Sequence, residues 1–176
     1  MGKPAGRQDQ PLKLIVKKAT KWAGCGIVVL FGLLQFTNPA RTNPPVQPGR
    51  ELGATNAPPA QITTLLRAAC YDCHSHETVW PWYSRIAPVS WYIVDHIKDG
   101  RRRLNFSEWP HDDPRKARSR MQNIRDEIES GSMPLKSYTL IHRSSALTSE
   151  QREQLLKWAD DEAKRLSATL ESGEAK

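Results

Sequence analysis

Between Trp22 and Phe36 the chain reads WAGCGIVVLFGLLQF, fifteen residues without a charge. A membrane-spanning helix needs about 20 mostly apolar residues, within a usual range of roughly 17–25. Extending the stretch to Ala19–Thr37 adds only Lys21 as a charge, at an end where a lysine stem can carry its ammonium out to the headgroups. Ahead of Phe36, the six basic residues Lys3, Arg7, Lys13, Lys17, Lys18 and Lys21 stand against one acid, Asp9. That asymmetry keeps the N-terminal end in the cytoplasm and sends the rest of the chain across the membrane. A cleaved signal peptide is the alternative to an anchor. The TNPARTNPP segment after Phe36 lacks a small-residue cleavage pattern, so a transmembrane anchor over residues 22–37 is the preferred reading. The WAGC tetrapeptide is no lipidation site, because the apolar run continues past Cys25. A buried helix of a soluble domain would leave the basic cluster unexplained.

The same arithmetic disposes of nucleic acid as a partner. Of the formal net charge of +7, the segment before Phe36 carries +5, leaving +2 for everything beyond it. The excess is a basic cytoplasmic tail over residues 1–21, not a folded basic surface, and no zinc-finger, helix-turn-helix or RNA-recognition pattern accompanies it.

Beyond the anchor, residues 38–58 hold Pro39, Pro44, Pro45, Pro48 and Pro58. Proline fixes φ and removes a donor, so this reads as an extended, semi-stiff linker that lifts the folded part off the membrane. The folded domain is expected over residues 59–170 and is mostly helical. A first helix opens at Pro59 and runs through AQITTLLRAACYDCH, with Ile62, Leu65, Leu66 and Ala69 on one face. A second starts at Pro88, carries Val89, Ile93 and Ile97, and ends at Gly100. A third spans about Arg115–Ser130 on Met121, Ile124 and Ile128, stopped by Gly131 and Pro134. A fourth opens on Thr148, whose third following residue, Gln151, completes a capping-box pattern. It carries Leu155, Leu156, Ala159, Ala163, Leu166 and Leu170. Residues 171–176 are expected to fray. No alternating strand and no internal repeat is visible, so the fold class is all-α.

The chemistry lies at Cys70-Tyr71-Asp72-Cys73-His74, the C-x-x-C-H pattern of c-type haem attachment. Two thiols add to two vinyl groups on one porphyrin edge, so their Cβ atoms must stand about a helical turn apart. The next imidazole then faces the iron. The reading is therefore one covalently attached haem c, held by Cys70 and Cys73, with His74 as an axial ligand. A thioredoxin-like dithiol would need a βαβ setting, and a zinc site from Cys70, Cys73, His74 and His76 lacks a second ligand pair. With Cys25 in the apolar run, three cysteines in such different settings are no disulfide framework.

For the opposite face of the iron, Met133 in Gly131-Ser132-Met133-Pro134 is the first candidate, with His142 and His96 as alternatives. A loop methionine before proline stays out of helical geometry, and its thioether can reach metal; the plainer role is core filling. His76 stands too close to the attachment turn to cross over, and His111, in an acidic loop, reads as solvated. Trp80, Trp82, Tyr83, Trp91, Tyr92 and Trp109 cluster after the motif, where rings could pack against a haem in a domain with little core of its own. Arg101, Arg102 and Arg103, then Arg115, Lys116, Arg118 and Arg120, are either a solvated face or a surface for propionates and an acidic redox partner.

The stretch CYDCHSHETVWPWYSRIAPVSWYIVDHIKDGRRRLNFSEW, then GSMPLKSY, then LTSEQREQLLKWA, together with RTNPP after the apolar segment, resembles the haem-binding-domain family of small membrane-anchored bacterial cytochromes. The resemblance covers most of residues 38–160. It implies a mono-haem, cytochrome c-like helical domain, preceded by its transmembrane helix and facing the periplasm from the inner membrane. It also implies that Cys70, Cys73 and His74 bind haem. The similarity of the Met133 segment to the methionine loop of small cytochromes c implies distal ligation. The expected function is electron transfer with redox protein partners in or near the membrane, without an enzymatic reaction. A haem-based sensor or ligand-binding module is the rival, and a peroxidase-like enzyme a more remote one.

Overall fold

The computed structural model describes residues 9–54 and 57–173. Residues 1–8 of the basic tail and 174–176 of the expected frayed end lie outside these. The described residues form seven α-helices and three short 3-10 turns, with no strand among them, so the chain is all-α. It divides into two compact units: residues up to 40 with 81–93, and residues 41–80 with 94–176.

The first unit is built on α1 (Asp9–Leu34), which passes into a 3-10 turn at Gln35–Thr37. The helix starts well before the apolar run, because the residues ahead of it, LKLIVKKATK, are mostly good helix formers. Over Leu14–Thr37, 24 residues are long and apolar enough to cross a membrane, and at the helical rise they extend roughly 36 Å. Trp22, Ile27, Val28, Val29, Leu30 and Leu33 are all exposed along it. The rest of the unit is a 3-10 turn at Trp82–Arg85 and the start of α4 (Val89–Arg103). The Gln35 side chain clasps it: its Oε1 accepts the Ala87 N–H (3.0 Å), and its Nε2 donates to the Ala87 carbonyl (3.3 Å).

In the second unit, α5 (Pro114–Glu129) packs lengthwise on α7 (Ser149–Glu171). Asp113 caps α5 by accepting the Lys116 N–H, with Pro114 as the first helical residue. Ala117, Met121, Ile124 and Ile128 are its buried stripe, and Leu155, Ala159 and Leu166 answer from α7. Thr148 and Gln151 form the reciprocal capping box at the start of α7. Arg152 donates to the Ile128 carbonyl and ties that start to the end of α5. Against α7 lies α2 (Ala60–Ala69), burying Ile62, Leu65, Leu66 and Ala69.

Some expectations need correction, among them that the second helix ends at Gly100, since α4 runs on to Arg103. The proline-rich stretch is extended, but from Arg41 it is bonded into the second unit rather than acting as a free spacer. Leu52 is buried in the core, its N–H donates to the Phe106 carbonyl (2.8 Å), and the Arg50 carbonyl accepts the Trp109 N–H (2.7 Å). In α4 the buried positions are Ser90, Val94, Ile97 and Gly100, while Val89 is exposed. An apolar-only pattern overlooks Ser90, whose hydroxyl is satisfied by Asn38 Oδ1.

Candidate haem-attachment site

The α2 helix breaks at Cys70, whose φ of −128° leaves helical geometry. One further turn comes next, α3 (Tyr71–His74), closed by the Cys73 and His74 N–H groups donating to the Cys70 carbonyl at 3.2 and 3.0 Å. The two cysteines therefore sit at the two ends of one turn, and no disulfide joins them. Burial, with Cys73 second, pushes the Cys70 thiol up to about 12; burial, then Asp72, pushes Cys73 up to about 11. Both shifts favour the protonated thiol, the opposite of the depression that activates redox-active C-x-x-C pairs.

His74 is oriented from behind. Its Nδ1 lies 3.1 Å from both the Gly100 and the Leu104 carbonyl oxygens. Both partners only accept, so Nδ1 carries the proton and the lone pair resides on Nε2. Burial lowers the pKa of the ring, and the two carbonyls and Glu127 oppose that. Such an imidazole is poised to ligate metal, with the carbonyl bonds fixing its tautomer and raising its basicity. Gly100 makes the approach possible: a Cβ there would come within 2.7 Å of the Cys73 carbonyl oxygen, a backbone contact with little room to yield.

The surroundings of the turn are bonded throughout. Asp72 inside the motif is a hub: its carbonyl accepts the Thr78 hydroxyl (2.6 Å), Oδ1 the Val79 N–H (2.9 Å), and Oδ2 the Tyr138 hydroxyl (2.6 Å). Arg101 donates through Nε to the Ser75 carbonyl, and through its terminal nitrogens to the Thr42 carbonyl, Asn43 and Thr78. It is a structural clamp rather than a free charge. A stack of Tyr71, Phe106 and Trp109, with centroid separations of 5.0 and 6.5 Å, backs the motif, and the His74 ring meets Phe106 edge-on at 6.4 Å.

The other sequence candidates fall in different places. Met133 is half-buried in the turn after α5, where Gly131 adopts φ +73° and the Met133 N–H donates to the Glu127 carbonyl (3.0 Å). The helix after Met133, α6 (Lys136–Ile141), places Tyr138 on Asp72 and stacks the same ring on His142 at 4.4 Å. His96 is half-buried on α4.

His76 turns away. Asn105 is oriented by accepting the Ser107 N–H, so its amide nitrogen donates to His76 Nε2 (2.9 Å), which occupies that lone pair. His111 is not solvated as expected, since its Nε2 is bonded to the Glu51 carbonyl (2.8 Å). Among the described residues no three His, Cys, Asp or Glu side chains gather as a metal cluster, which leaves the zinc alternative without support. Of the rings expected around a haem, Trp82, Tyr83, Trp91 and Tyr92 belong to the first unit. Sequence reasoning misses Tyr71 and Phe106: Tyr71 reads only as motif filler, and Phe106 stands in a loop with no periodicity to mark it. Arg101, Arg102, Lys116 and Arg120, from α4 and α5, converge with Glu108 on a cleft of about 170 Å³.

Compared with known proteins, residues 29–161 match the haem-binding-domain family. No curated protein and no solved structure matches the chain.

Proposed function

The chain belongs to the haem-binding-domain family and binds haem; from that premise we propose that it is a membrane-anchored, single-haem c-type cytochrome that transfers electrons on the periplasmic side of a bacterial inner membrane. The observation that carries this reading is the conjunction at one helical turn. Two cysteines and an imidazole occupy it, and the proton of that imidazole is committed to two backbone carbonyls. The donor set fits haem c: thiols for the vinyl groups and a neutral Nε2 for iron.

Cys70 and Cys73 would hold the haem through thioether links to its vinyl groups, an addition that has no leaving group and needs no oxidant. When bound, haem supplies an iron couple that takes up and gives back one electron. His74 and Met133 are the residues that would hold the iron. A methionine thioether favours the reduced state relative to a second histidine and fills the coordination sphere, which suits a carrier rather than an enzyme. The α1 helix supplies the anchor, with its basic flank on the cytoplasmic side. The basic cleft lined by Arg102, Lys116 and Arg120 suits an acidic redox partner, steering encounter more than adding affinity.

Oxidised and reduced absorption spectra test the carrier reading. The weak long-wavelength charge-transfer band of methionine-ligated oxidised haem is expected, together with reversible one-electron reduction and no CO binding by the reduced protein. Absence of that band with rapid CO binding would favour the sensor reading instead.

A further inference from the structure

In the segment 81–93 the usual order of burial is inverted. Ser84, Ala87 and Ser90 are wholly buried, while Trp82 is 74% exposed, Tyr92 52%, Val89 44% and Trp91 38%. Small residues face inward and large aromatic ones outward. An exposed patch of this kind marks a surface that meets something other than water.

Its attachment points identify what it meets. The segment is fixed within its unit by bonds to the C-terminal end of the apolar helix. The Gln35 amide grips both backbone groups of Ala87, the Ser90 hydroxyl donates to Asn38 (2.5 Å), and the Trp91 indole N–H donates to the Thr37 carbonyl (3.1 Å). Thr37 is the last residue of the 24-residue apolar span. The Trp91 ring is thus held at the level where the span ends, and the backbone that carries Trp82 and Tyr92 is tied there through Ala87 and Ser90. Trp and Tyr are favoured there because an amphipathic ring can sit among headgroups.

We propose that residues 81–93 form an aromatic collar that seats in the phospholipid headgroup region of the bilayer crossed by α1. This rests on reading α1 as a membrane span. The collar makes the emergence of the chain a second membrane attachment rather than a bare helix end. Trp82 and Tyr92 are its principal lipid contacts, and Arg85, exposed beside Trp82, suits lipid phosphates.

The test uses the full-length haem-loaded protein in phosphatidylcholine–phosphatidylglycerol nanodiscs. A photoreactive benzoylphenylalanine replaces Val28 in one sample and Trp82 in another. Adducts are identified by mass spectrometry, and the haem spectrum reports folding. Lipid adducts are expected at both positions, with a yield at residue 82 within about threefold of that at residue 28. Lipid adducts at residue 28 but only protein or haem adducts at residue 82 would overturn the collar and leave the span intact. No lipid adduct at residue 28 would overturn the span and the collar with it.

Discussion

The turn carrying Cys70, Cys73 and His74 and the loop carrying Met133 offer iron its two proposed ligands, but the chain specifies them very differently. His74 is fixed by two carbonyls behind its ring, a glycine in close contact with the neighbouring backbone, and Arg101 bracing the Ser75 carbonyl just beyond. Met133 is positioned through its own N–H on the end of α5, and through Tyr138, five residues later, on Asp72. The difference is that between a preorganised attachment site and a ligand loop that can be loosened separately. Redox carriers and ligand sensors differ at this second position.

The largest expected effect on haem loading falls on the rigid side. Gly100→Ala gains roughly 1 kcal/mol of helix propensity but must displace the Cys73 backbone, a strain of about 1–3 kcal/mol. We expect net destabilisation in urea unfolding and clearly reduced haem loading. Unchanged loading would mean that the close approach of α4 is dispensable. Next comes Met133→Ala. The side chain is only half-buried, so stability should move by less than about 1 kcal/mol. The long-wavelength band should disappear, the potential should fall, and CO should bind, while the haem stays covalently attached. If instead His142→Ala or His96→Ala abolishes the native spectrum, the assignment moves to that histidine.

Tyr138→Phe should act in the same direction but partially. It removes a hydrogen bond to a carboxylate, worth about 1.5–3 kcal/mol, and frees the segment after Met133. A weaker long-wavelength band with intact attachment is expected. Full retention of the band would show that the loop does not depend on Asp72. At the small end, Thr148→Ala breaks the capping box for about 1 kcal/mol of stability and should leave the haem spectrum untouched. A spectral change there would mean that the α5–α7 core and the ligand loop are coupled.

The contrast also explains how far the sequence is legible. The stripes Ile62–Leu65–Leu66–Ala69 and Met121–Ile124–Ile128, and the Thr148–Gln151 cap, encode helices locally, so periodicity and capping find them. The attachment motif is likewise local, five consecutive residues. The surroundings that orient it are not. The Gly100 and Leu104 carbonyls reach His74 across some thirty positions of chain, and Phe106, Leu52 and Tyr138 are placed by tertiary packing that no spacing records. Gly100 reads as a helix terminator, yet α4 continues through it to Arg103, because the glycine serves a close contact rather than a stop. The prolines make the linker read as free, whereas Leu52 and its backbone bonds draw it into the core.

The central claim is that Cys70 and Cys73 hold the haem covalently beside His74. Intact-mass spectrometry of the full-length protein, made in a host with c-type cytochrome maturation and unfolded before measurement, tests it most directly. The account predicts the polypeptide mass plus one haem, and the bare polypeptide mass once Cys70→Ser and Cys73→Ser are combined. A haem-bearing protein whose unfolded chain shows only the polypeptide mass, or a double variant that keeps the added mass, would contradict it.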